Sequence, residues 1–290
     1  MKRLAARSGC AGAVVCCIKL VVVFMLLCSC ERGGARGRSD MQTGDAESQN
    51  VLSGVPEAVS AYDAKLGEAL RAAEIPDVMS ERIIAAGESV FLPDLLAATK
   101  GDLFLRRLVD KRRALPEGYE PDDLVLLDNG GSYRVGRAGL RLRREAAESL
   151  ERMAQAARAE GVTLVVSSSY RSFDYQTEVY QRNVRESGQE TADRESSRPG
   201  FSQHQLGLVV DFGSITDAFA QTAAGRWMLA NGPAYGWSLS FPDGYEDITG
   251  YRWESWHYRY TGVALADFID RWFDGIQQYA MQFIYAWEGY

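Results

Sequence analysis

The stretch Ser202–Phe212, SQHQLGLVVDF, decides how this chain is read. Its second half, Gly207–Phe212, is apolar and rich in β-branched residues, so it reads as a strand. Alternate residues of a strand share a face. Leu208, Val210 and Phe212 should therefore point into a core, and Val209 and Asp211 the other way. A carboxylate on so apolar a strand needs a partner, because burying it alone is costly. A metal ion would be such a partner, and His204 stands just upstream.

The sequence holds only two histidines, His204 and His257. His257 lies in the run Trp253–Arg259, WESWHYR, within a strand expected over Trp256–Tyr260. Trp256, Tyr258 and Tyr260 would face one side of it, and His257 and Arg259 the other. Glu254, three residues before His257, is near enough to reach a water on the same metal. Two imidazoles and one carboxylate make a three-ligand zinc set with an open fourth position, which is the catalytic arrangement. Taken singly, each residue has a plainer reading: packing for His257, a cap or ion pair for Asp211, a solvated side chain for Glu254, a surface pair for Arg171. The combination reaches as far as a zinc hydrolase.

Outward from this centre, Val162–Ser167 reads as a buried strand. The helix expected before it, Arg141–Glu160, carries an apolar stripe of Ala146, Leu150, Met153 and Ala157 and stops at Gly161. Helix to strand through one glycine fits a layered α+β domain. Ser172 is placed to cap a helix over Phe173–Val184, and Arg185–Gly200 reads as a charged surface loop. A helix near Ala223–Ala230 and a strand over Trp237–Phe241 follow. Before the domain, helical spacing predicts a helix from Glu57 that Pro76 stops, then short helices over Ser80–Ala86 and Pro93–Lys100. Leu108–Leu127 reads as mostly loop. From Leu265 the chain is helical again, with Phe268, Ile269, Trp272, Phe273 and Ile276 on its apolar side.

The motif set SxHxxGxxxD, Ser202 to Asp211, followed by ExWHYR, Glu254 to Arg259, resembles the VanY-type D-alanyl-D-alanine carboxypeptidases, which group with lysostaphin-like enzymes and hedgehog domains. Leu108–Val125, Ser167–Gln176 and Tyr235–Pro242 resemble other parts of the same family, so the likeness spans about residues 105–263. It implies that His204, Asp211 and His257 hold Zn2+. It implies Glu254 as general base and then acid, and Arg171 as the charge that polarises the scissile carbonyl. Gln176 and Ser202 would contact the terminal D-residue of the substrate. The implied fold is a small antiparallel sheet flanked by helices, with zinc on its open face. Two departures stand out: Val209 where the family usually has Ala, expected to narrow the pocket, and Ser255 where it usually has Pro.

The resemblance implies a D,D-carboxypeptidase that trims peptidoglycan stem peptides. An L,D-carboxypeptidase acting on the tetrapeptide and a cross-link endopeptidase use the same motifs. A non-catalytic peptidoglycan-binding lipoprotein should lack the base or the arginine, and both are present. A serine nucleophile among Ser167, Ser168 and Ser169 lacks the SxxK lysine.

The ends of the chain complete the reading. All five cysteines lie in the first thirty residues, which excludes a disulfide-built domain or a thiolate zinc site. Lys2, Arg3, Arg7 and Lys19 precede the apolar run Leu20–Cys28, which is too short to span a bilayer as a helix. The run ends in Leu27-Cys28-Ser29-Cys30, which resembles a lipobox, so a lipoprotein signal is expected over 1–29 with the lipid on Cys30. Losing it would take the formal charge of −7 to −11, so acyl chains rather than a basic patch would hold the protein at a membrane. The expected division is a polar tether over 30–56, a helical prefix over 57–104, the zinc domain over 105–263 and a helical tail over 264–290. The acidic balance argues against nucleic acid as a partner. The expected location is the bacterial cell envelope, facing the wall.

Overall fold

The computed structural model describes residues 60–116 and 118–290, so the expected signal peptide, Cys30 and the expected tether lie outside the described residues. Three helices come first: α1 (Ala61–Ala72), α2 (Asp77–Ala86) and α3 (Glu88–Ala98). Ser60 caps α1 by accepting from the Asp63 N–H at 3.0 Å. Strands β1 (Leu124–Leu126), β2 (Arg134–Val135) and β3 (Arg141–Arg143) lead into helix α4 (Arg144–Ala159). Strand β4 (Val165–Ser168) precedes helices α5 (Phe173–Ser187) and α6 (Gln189–Glu195). Strand β5 (Val209–Phe212), helix α7 (Ala223–Asn231), strand β6 (Trp237–Leu239), helix α8 (Glu246–Thr249) and strand β7 (His257–Tyr260) follow. Helices α9 (Val263–Phe273) and α10 (Gln277–Glu288) come last.

The main sheet has the order β2-β4-β5-β7-β6, and β1 and β3 form a separate antiparallel pair. The expected α+β architecture holds, with one difference at an edge: β2 runs parallel to β4, while the other pairs are antiparallel. Leu208, Val210 and Phe212 enter one core with Trp256, Tyr258, Tyr260 and the α4 stripe Ala146, Leu150, Met153 and Ala157. The period of two on the strand and of about 3.6 on the helix thus converge on the same layer, where each large side chain buried contributes about 1.5–3 kcal/mol.

Three local expectations need correction. The helix expected over Pro93–Lys100 is α3, which starts at Glu88 after Gly87 turns the chain at φ +70° and carries Pro93 inside it. The helix expected from Arg141 begins at Arg144, because Arg141–Arg143 pairs with Leu124–Leu126 as a strand. The loop expected over Arg185–Gly200 is largely helical: α5 runs on to Ser187, Gly188 turns the chain at φ +82°, and α6 starts beyond it. Only Ala192 of α6 is buried. Side-chain pairing holds the segment instead, with Asp193 accepting from Tyr180 Oη at 2.6 Å and from Arg198 at 3.0 Å. No apolar periodicity announces such a helix.

The prefix and the tail are not separate appendages. Helices α1–α3, α9 and α10 share a second apolar core. Phe91 is its fully buried centre, with ring centroids 5.1 Å from Trp272 and 5.5 Å from Phe268 and Phe283. Buried Arg259 of β7 pins the segment that follows α3, donating to the carbonyls of Phe104, Leu105 and Arg107 at 2.8–3.1 Å. Burial lowers its guanidinium to about 9.

Candidate metal and active site

Strand register builds the first half of the site. Asp211 of β5 stands opposite His257 of β7 on one side and Ser168 of β4 on the other. Facing residues in an antiparallel ladder lie close enough for their side chains to meet. His204 arrives by a different route, on a 3-10 turn over Gln203–Leu206 that ends at Gly207. Gly207 sits at φ +68°, and a Cβ there would lie 2.9 Å from Arg143 Cγ and 3.0 Å from Leu124 Cδ2. Only glycine lets the turn press against β1 and β3 and swing His204 over the strand.

The result is a buried triad, with His204 3% exposed, Asp211 2% and His257 4%. His204 Nε2 lies 3.2 Å from Asp211 Oδ2, and His257 Nδ1 lies 3.3 Å from Asp211 Oδ1. The two imidazole rings meet edge to face at 4.9 Å. A turn closed by the His257 N–H on the Glu254 carbonyl, 3.1 Å, brings Glu254 Oε2 to 3.2 Å from His257 Nδ1. Glu-x-x-His thus works here through a turn entering a strand, not through a helix face.

Arg171 lies across the site from Glu254. It donates through Nη2 to Asp211 Oδ2 at 2.8 Å, through Nε to Ser168 Oγ at 3.2 Å and through Nη1 to Gln176 Oε1 at 3.3 Å. These three bonds leave two of the five guanidinium N–H groups for the cleft. The cleft has a volume of about 510 Å³ and is lined by His204, Asp211, His257, Glu254, Arg171 and Ser202, among others.

The groups polarise one another. Burial alone would raise the Asp211 carboxyl, but His204, His257 and Arg171 hold it well below the usual range. Burial raises Glu254. His204 is lowered to about 4 by burial and then by Arg171. His257 is raised to about 8 because Asp211 and Glu254 outweigh its burial.

The residues present fit a metal ion. The three ligand atoms lie within 4.8 Å of one another. Tetrahedral zinc with ligands at about 2.0–2.1 Å sets neighbouring donors about 3.4 Å apart, close to the two contacts above. Asp211 Oδ1 is buried and has no hydrogen-bond partner, since its contact with His257 lacks hydrogen-bond geometry. A buried carboxylate oxygen left open is expensive unless something else fills its lone pairs.

The sequence-predicted residues therefore converge, except Gln176. It is fully buried behind Arg171, with its amide donating to the Ser197 carbonyl at 2.7 Å, and it does not line the cleft. Val209 is also fully buried, opposite Arg259, and does not narrow the pocket. The three serines Ser167, Ser168 and Ser169 are engaged by Gly213, Arg171 and Arg141. Sequence reading missed Gln203, whose Oε1 meets His257 Nε2 at 3.3 Å. Its position next to His204 was visible, but its contact across 54 residues was not.

The model of the VanY family, D-alanyl-D-alanine carboxypeptidase, matches residues 139–263. The chain belongs to this family. It is 39% identical over 168 residues to the putative carboxypeptidase YodJ of Bacillus subtilis, covering 56% of this chain and 62% of that protein. The chain thus spans less than two thirds of that relative's length. Among solved structures it is similar to the LdcB LD-carboxypeptidase, at 34% identity and a TM-score of 0.52, over 58% of this chain and 85% of that one. It is likewise similar to VanYB in complex with D-alanine-D-alanine, at 30% identity and a TM-score of 0.50, over 60% of this chain and 94% of that one. The match to the VanY model includes β4, β5, β6 and β7 of the main sheet and the residues His204, Asp211, Glu254 and His257, and it ends as α9 begins, before α10.

Proposed function

We propose that this chain is a zinc-dependent D,D-carboxypeptidase that removes the terminal D-Ala from peptidoglycan stem peptides. The observation that carries the reading is the buried Asp211 carboxylate between two imidazoles, its Oδ1 left open, with Arg171 on Oδ2 and Glu254 against His257 in one cleft. His204 Nε2, His257 Nδ1 and the Asp211 carboxylate would hold the ion, which supplies Lewis acidity to water and carbonyl when bound. Glu254 takes the proton of the attacking water as its oxygen bonds to the scissile carbonyl carbon. It returns that proton to the nitrogen as the C–N bond breaks. Its burial raises its affinity for the proton, which suits a group that must hold one between the two steps. The two remaining N–H groups of Arg171 stabilise the carbonyl oxygen as it gains charge. Arg137 and Arg182 also line the cleft, where they favour a peptide that ends in a free carboxylate. Ser202 lines the cleft beside His204 and contacts the terminal residue, while Gln176 acts through Arg171.

Removal of D-Ala from the tetrapeptide is a second reading, favoured by the likeness to an LD-carboxypeptidase. Mass spectrometry of pentapeptide and tetrapeptide muropeptides, with and without EDTA, separates the two. Pentapeptide losing one D-Ala only without EDTA is expected; conversion of tetrapeptide to tripeptide instead moves the substrate class. No turnover with zinc bound would leave a wall-binding protein. The same proposal places the protein in the cell envelope on a lipid at Cys30, and Cys30→Ala should release it from membranes.

A further inference from the structure

We infer that Gln203 and Ser240 set the tautomer and aim of His257, and that Gln277 on α10 holds the strand β6 that leads into Ser240. The inference rests on the metal reading above.

An imidazole that binds an ion through one nitrogen carries its proton on the other, and the partner of that proton orients the ring. For His204 the partner is main chain: Nδ1 lies 2.7 Å from the Ser169 carbonyl, which leaves Nε2 toward Asp211. His257 is the mirror case, with Nδ1 facing Asp211 and Glu254 and Nε2 facing Gln203 Oε1 at 3.3 Å. An amide oxygen only accepts, so the proton belongs on Nε2 and the lone pair on Nδ1.

Ser240 keeps that oxygen in place. Its hydroxyl lies 2.8 Å from Gln203 Oε1 and 3.4 Å from Gln277 Oε1. The first distance is that of an O–H···O bond and the second is long, so the single proton goes to Gln203. Gln203 Oε1, with two lone pairs, takes both donors. Gln277 Nε2 in turn donates to the Ser238 carbonyl at 3.3 Å, within β6 and two residues before Ser240. Gln203, Ser240 and Gln277 are 5%, 2% and 2% exposed, so bulk water does not compete for these bonds. Gln277 lies outside residues 139–263, so its support comes from beyond the matched segment.

The test is zinc affinity by chelator competition, with the visible spectrum of the cobalt-loaded chain as a second readout. Gln203→Leu should weaken zinc about 10–100-fold and shift the cobalt bands. Gln203→Glu, which keeps an acceptor, should restore both, and Ser240→Ala should move both the same way by less. A folded Gln203→Leu chain with unchanged affinity and bands overturns the inference. If that variant does not fold, unchanged values in Ser240→Ala overturn it instead. A wild-type chain that binds neither metal overturns the metal reading itself, a separate result.

Discussion

The two cores of this molecule are built on opposite terms. The helical core of α1–α3, α9 and α10 is apolar, organised around Phe91 and the rings against it. The sheet buries an apolar layer on one face and, on the other, His204, Asp211, Glu254, His257 and Arg259. The first gains stability from nearly every residue it buries. The second holds mutually polarised charges and one carboxylate oxygen without a partner, an arrangement justified by what it can bind. Mutations should therefore separate them: stability falls in one, chemistry in the other.

The sharpest break is His257→Ala, which removes a proposed ligand facing Asp211 and a neighbour of Glu254. Zinc content after dialysis should fall to background and turnover with it; a variant that retains stoichiometric zinc would dismantle the ligand assignment. Glu254→Gln comes next. It should keep the metal, by elemental analysis, and lose about 10²–10⁴-fold in kcat. In the helical core, Phe91→Ala should lower unfolding free energy by about 3–5 kcal/mol in denaturant titration. Its activity per folded molecule should stay near wild type, and a selective loss of kcat would show that the two regions are coupled. The smallest effect is expected at Ser255, whose hydroxyl is buried without a partner. Ser255→Ala should range from neutral to about 1 kcal/mol more stable, read from the denaturation midpoint.

Legibility also differed between the regions. The strand Val209–Phe212 and the stripe on α4 could be read from spacing, because a period in sequence is a face in space. His204 and His257 stood out as the two histidines of the sequence, and Asp211 as a carboxylate on an apolar strand. The helix α6 escaped, since ion pairs and a glycine turn make it rather than an apolar stripe. Gln176 was placed against substrate, whereas burial puts it behind Arg171, a matter of depth that residue type does not encode.

By itself the sequence determined the alternation on the strands, the helix stripes, the family motifs and the polar residues that need partners. These are consequences of local periodicity and of side-chain chemistry. Only the tertiary structure decided that prefix and tail make one core, that Asp211 faces His257 across a ladder, and that Gln203 and Ser240 stand behind the ring. Those facts depend on strand register and on packing between distant segments, and a one-residue slip in register would have sent Asp211 to the opposite face.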